Sequence, residues 1–233
     1  MINMKRAIFL LAVAIATAPA LLRAQKPDNV PPPKPPFVRP PPSQSAWTIK
    51  VTRAAQTEDS QDAQPAKKQR VVVAIASTRY GESKRDVVNY SDGSKVEYWF
   101  VGGYGFWPYP GSSRVGVSAS DLEDMTTNEP ATSPGFPGLY WLSAESYQGV
   151  AKIGDVTCRH YLKGGEGDSW EAWIGLESGL PVAAKFGSVG HTYAFTTPPA
   201  VPLQMPAAYA QALEAVKKQA ARAAALAEKF RKQ

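Results

Sequence analysis

Residues 147–196 read YQGVAKIGDVTCRHYLKGGEGDSWEAWIGLESGLPVAAKFGSVGHTYAFT. Five short runs, Tyr147–Ile153, Val156–Lys163, Ser169–Glu177, Leu180–Phe186 and His191–Thr196, alternate apolar and polar residues. Glycine-containing turns divide them, at Gly154-Asp155, Gly164–Gly167, Ser178-Gly179 and Gly187–Gly190. Alternation half-buries a strand, because successive side chains point to opposite faces. A glycine between two such runs supplies the positive φ of a tight hairpin. The connections are too short for the crossover that parallel strands need, so the stretch predicts an antiparallel sheet.

The same signals extend upstream. Trp47–Arg53 alternates, and Val71–Thr78 is rich in β-branched residues. Residues 85–103, RDVVNYSDGSKVEYWFVGG, place two strands around Ser91-Asp92-Gly93. In the second strand Val96, Tyr98 and Phe100 share one face, and Glu97, Trp99 and Val101 the other. Ala54–Gln69 has no apolar periodicity and is expected as a long loop or a disordered insert. Gly102–Gly138 sets Tyr104, Phe106, Trp107 and Tyr109 among glycines and prolines, then turns polar. Ser120 followed three residues later by Glu123 can cap a helix, so a flap or helix-bearing insertion is expected here.

The two ends differ from this body. Lys5 and Arg6 precede an apolar run from Ala7 to Ala18, then small residues at Ala18-Pro19-Ala20 and Ala24. That run is shorter than the ~20 residues of a membrane span and suits a cleaved bacterial leader. No cysteine lies there to take a lipid anchor, so the expected address is the periplasm or the cell exterior. Nine of the 21 prolines lie between Pro27 and Pro42. Fixed φ and missing donors make 25–44 a polyproline tether. From Ala207 to Gln233 the chain is Ala-rich, and Tyr209, Leu213, Val216, Ala220, Ala223, Ala227 and Phe230 recur at helical spacing. The expected organisation is a leader (1–24), a tether (25–44), a body (45–206) and a basic C-terminal helix (207–233).

Charge and chemistry exclude several function classes. The net charge of +6 sits largely at the ends: Lys5, Arg6 and Arg23 in the leader, and six basic against two acidic residues after Pro206. The body is close to neutral, which argues against nucleic acid as a partner. One cysteine and two histidines rule out an intrachain disulfide and leave little for a closed zinc site. No hydrolase elbow, metalloprotease helix, P-loop or dinucleotide fingerprint is present. Cys158 and His160, two apart on one strand, share a face with Val156 and Leu162. They are expected as a structural pair on the sheet's apolar face, the thiol buried and unreactive. Neither catalytic residues, nor metal ligands, nor a cofactor site is expected.

The quoted stretch resembles the last strands of the LolA/LolB-like superfamily of periplasmic lipoprotein-localisation factors. The resemblance rests on Gly149–Tyr161, on the Trp-Ile and Ser-Gly-Leu-Pro-Val elements between Ala172 and Val182, and on His191–Phe195. Residues 79–99 look like that family's central hairpins. Departures are Gly175 where an acidic residue is common, the proline tether, the basic helix, and no clear match for the basic residue that closes the family's cavity. The resemblance implies a mainly β fold with helices (α+β). It would be a curved antiparallel half-barrel with helices over its concave face, here followed by a C-terminal helix, in a family that binds acyl chains or other proteins.

Joined to the secreted address, this predicts a periplasmic, non-catalytic binding protein for an acyl chain, lipid or lipoprotein. Its candidate cavity residues are Trp99, Phe106, Trp107, Trp141, Trp173, Phe186 and Tyr193. The alternative is a cell-envelope structural or protein-interaction module whose core is filled. No stable membrane span is expected once the leader is removed.

Overall fold

The computed structural model describes residues 32–54, 70–109, 111–119, 136, 138–165 and 169–231. The leader, the start of the tether (25–31), all of the expected loop after Ala54 (55–69) and the capping box at Ser120 lie outside them. Eleven strands form one open antiparallel sheet: β1 (Gln44–Arg53), β2 (Val72–Tyr80), β3 (Ser83–Tyr90), β4 (Lys95–Val101), β5 (Tyr104–Pro108), β6 (Val115–Ala119), β7 (Tyr147–Ile153), β8 (Val156–Lys163), β9 (Trp170–Gly175), β10 (Pro181–Phe186) and β11 (Val189–Thr196). Among the described residues one helix, α1 (Ala207–Arg231), follows. The fold is mainly β, a sheet that curves without closing.

The sheet order is β6-β5-β4-β3-β2-β1-β11-β10-β9-β8-β7. The chain therefore starts in the middle, meanders out to β6, crosses to the far edge at β7 and meanders back to pair β11 with β1. Ala46 faces Thr196 and Arg53 faces Val189 across that central seam. Apart from the β1–β2 connection, the hairpins turn at glycines with positive φ, among them Gly93 (81°) between β3 and β4, Gly154 (56°) between β7 and β8, and Gly179 (67°) before β10.

Two expectations are corrected. Residues 104–119 are not a flap or helical insertion but the strands β5 and β6. Gly102 and Gly103, at φ 59° and 79°, turn the chain back from β4. Gly116 lies opposite Trp107, and a Cβ there would sit 2.2 Å from the indole, so its missing side chain makes room for the ring. Aromatic residues among glycines are here an edge hairpin. The second correction concerns Cys158 and His160. The register Tyr161↔Ala172↔Ala184↔His191↔Val51 puts Tyr161, not Cys158, on the face that holds the larger core.

That larger core gathers Trp47 and Ile49 of β1, Tyr161 of β8, Ala172 and Ile174 of β9, Ala184 of β10 and Tyr193 of β11. Phe136, Leu139, Trp141 and Leu142, from the connection that crosses between β6 and β7, cover this inner face. Phe37 and Val38 join from within the proline-rich stretch: Val38 is 3% exposed, and the Phe37 ring meets Tyr161 edge-on at 6.3 Å. The Arg39 amide donates to the Gly179 carbonyl at 2.7 Å. This end of the stretch is packed into the body. α1 sits on the opposite, outer face, where Tyr209 and Leu213 close a second, smaller core with Trp99 of β4 and Phe106 of β5. Its first turn hangs from Pro206, whose carbonyl accepts from the amides of Tyr209 and Ala210.

Candidate ligand face

The inner face is an almost continuous aromatic surface. Trp47 meets Phe136 at 5.5 Å between ring centroids, Phe136 meets Tyr193 at 5.9 Å, and Tyr193 meets His191 at 6.4 Å. His191 continues to Phe186 (5.2 Å), Phe186 to Trp170 (5.9 Å) and Trp170 to Trp141 (6.3 Å). Edge-to-face pairs dominate, the geometry that ring quadrupoles favour. The described end of the connection, residues 138–142, lies close over this surface. Gly138, at φ 80°, passes so close to Phe186 that a Cβ would lie 2.8 Å from its ring.

Polar tips are set into this apolar layer and left unpaired. The hydroxyls of Tyr147, Tyr161 and Tyr193, the indole Nε1 of Trp47 and Trp141, and Nδ1 of His191 are buried with no hydrogen-bond partner. Burying such a group unpaired costs ~1–3 kcal/mol. The titration of these groups follows the burial. Desolvation drives His191 down to about 4, with Arg53 adding repulsion, and pushes Tyr161 up to about 12. Tyr193 is raised by burial alone. One ion pair lies on the same face: Lys84 Nζ and Asp86 Oδ2 are 3.1 Å apart, and Lys84 also stands 5.3 Å from the Phe100 ring and 5.7 Å from that of Trp47.

The seven candidate residues are divided by the fold. Trp141, Phe186 and Tyr193 come together on the inner face. Trp99 and Phe106 are in the outer core, beneath α1. Trp107 is on the inner side of the edge hairpin, against Gly116 and edge-on to Tyr109 at 6.4 Å. Trp173 faces outward, stacked on His160 at 5.2 Å with 12° between the planes. Alternation shows which residues share a face but not which face is inside, and both faces of these strands carry aromatics. The inner face also holds residues the sequence reading left out: Trp47, Tyr161, His191, and the Phe37-Val38 pair, whose signal was two bulky apolar residues set among prolines.

The outer pair has no activated chemistry. Cys158 is fully buried, and desolvation raises its thiol. His160 is lowered by burial despite Glu171, whose carboxylate stands 3.6 Å from Nε2. A nucleophilic pair needs a stabilised thiolate beside a protonated imidazole, and both shifts run the other way. Among the described residues no group of three His, Cys, Asp or Glu side chains is placed to hold a metal ion. No described helix is long and apolar enough to cross a membrane.

No family model matches the chain, and no curated protein matches it. Among solved structures, the chain is similar to the lipoprotein LppX of Mycobacterium tuberculosis, at 12% identity and a TM-score of 0.38, over 70% of this chain and 90% of that one. It is also similar to a LolA superfamily protein of Nitrosomonas europaea, at 9% identity and a TM-score of 0.33, over 72% of this chain and 90% of that one.

Proposed function

We propose that the protein is a non-catalytic binding protein of the periplasm or cell exterior. It takes an acyl-bearing amphiphile, a lipid or the lipid part of a lipoprotein, on the inner face of its sheet. The observation that carries this reading is the set of unpaired polar tips in an aromatic layer covered by loop segments. A core under selection for stability alone pairs or removes such groups, and exceptions concentrate at functional sites. The cover includes Phe37–Val38, beside which the Arg39 amide donates to the Gly179 carbonyl, and residues around Phe136 and 138–142, where Leu139 and Leu142 donate to the Phe136 and Leu139 carbonyls. An amphiphile that lifts it would offer ester or carboxylate oxygens to the Tyr and Trp donors and methylenes to the rings.

Titration with a fluorescent fatty acid, with native mass spectrometry of protein extracted mildly from cells, tests this. The expected result is saturable binding, competed by unlabelled fatty acid, with adduct masses in the extract. A clean apo mass together with no probe binding would overturn it.

One observation favours a second reading, an envelope interaction module with a filled core. The unpaired atoms are sealed from solvent, so the inner face is packed as it stands. On that reading cross-linked partners depend on the termini. Removing 25–36, which spares Phe37 and Val38, and 207–233 should then abolish the cross-links.

A further inference from the structure

The face of α1 that docks on the sheet continues past it. At about 100° per residue, Leu213, Val216, Ala220, Ala223, Ala227 and Phe230 lie along one stripe. Leu213 is buried and Val216 half-buried, but every residue from Lys217 to Arg231 is exposed. The free part extends about 22 Å at helical rise. Its two bulky apolar side chains are at the far end, Leu226 at 56% and Phe230 at 71% exposure. Lys217, Lys218, Arg222, Lys229 and Arg231 give it five cations, Glu228 is the acidic residue among them, and Lys217 is paired with Glu214 of the preceding turn at 3.2 Å.

We propose that this overhang is a peripheral anchor for an anionic lipid surface. Charge selects the occupant. A second copy of the helix would bring five cations against five more, whereas phosphate-bearing headgroups complement them. Shape selects it too. A partner helix would seat on the small alanines mid-stripe, yet the large side chains are at the tip, beside Lys229 and Arg231. This suits shallow insertion with cations held at headgroup level. The helix is too polar to cross a bilayer, so it lies on the surface. The proposal is independent of what the inner face binds.

Sedimentation of the full chain with vesicles of phosphatidylethanolamine, with and without phosphatidylglycerol, tests it. Neutral vesicles set the baseline that the rest of the chain contributes. Phosphatidylglycerol should raise the bound fraction about tenfold at low salt and lose that effect at high salt. Leu226→Ser with Phe230→Ser should lower anionic binding about tenfold, and Phe230→Trp should strengthen it with a blue shift in emission. Fatty-acid probe binding should be unchanged in all these variants. Equal binding to both vesicles would overturn the proposal. So would a Leu226/Phe230 double variant that binds like wild type while Lys218→Glu with Arg222→Glu does not. Adhesion by charge alone would point to an acidic protein instead.

Discussion

The two aromatic cores of this sheet settle their polar atoms differently. On the outer face the Tyr209 hydroxyl donates to the Glu97 carbonyl at 3.1 Å, and the Trp99 indole donates to the Glu97 carboxylate. On the inner face the tips of three tyrosines, two tryptophans and a histidine are buried unpaired. The outer cluster joins a helix to a sheet with the polar atoms of Tyr209 and Trp99 paired. The inner one is larger, covered by loops and unsatisfied. The contrast is one of degree, since Arg85 Nε and His160 Nε2 on the outer face are also buried without a partner.

The heaviest way to break this contrast is Phe136→Ala. Its ring touches Trp47, Tyr193 and Phe195, so urea unfolding should show a loss of ~3–5 kcal/mol. If the cover is displaceable by ligand, the variant should keep or gain affinity for the fatty-acid probe per folded molecule.

Acid comes next. His191 is held below its ordinary value, so the folded state binds fewer protons than the unfolded one. Stability contributed by the neutral ring is complete above the unfolded pKa of about 6.5 and falls as pH drops toward about 4. The slope for one proton is at most about 1.4 kcal/mol per pH unit. His160, lowered in the same direction, adds to it. His191→Gln should flatten the stability profile over that window, and an unchanged profile would show that the ring is solvated.

Two tyrosine deletions give the smallest effects and the sharpest comparison. Tyr209→Phe breaks a made bond and should cost ~0.5–1.5 kcal/mol. Tyr193→Phe removes an unpaired hydroxyl and should cost nothing or stabilise slightly. Equal losses in the two would erase the distinction between the cores. Probe binding weakened in Tyr193→Phe alone would tie the inner hydroxyl to the ligand.

How legible this was depended on the kind of signal. The strands Tyr147–Ile153 and Val156–Lys163 were readable to the residue, because alternation and a Gly154 turn are local. The hairpin of β5 and β6 was not, because its logic is a contact: Gly116 is meaningful only once Trp107 lies across it. The inner surface was legible in part. Trp141, Phe186 and Tyr193 were marked by size and hydropathy. Trp99 and Phe106 carry the same signal and went to the other face, because which side of a two-sided aromatic strand is covered is decided by elements far away in the chain, α1 and residues 136–142. Phe37 and Val38 were hidden by their neighbours, since nine prolines read as spacer whatever stands between them.

The central seam has a consequence for how such a chain is made. The first strand waits for the last: the hydroxyl of Thr196 reaches the carbonyl of Ala46 across 150 positions of sequence. A nascent chain can form the hairpins of β2 to β6 early, but β1 keeps one edge bare until β11 has been delivered, and closing so long a loop is slow. For a chain exported as proposed above, this delay would be protective. Such a chain would complete its sheet only when β11 reaches β1.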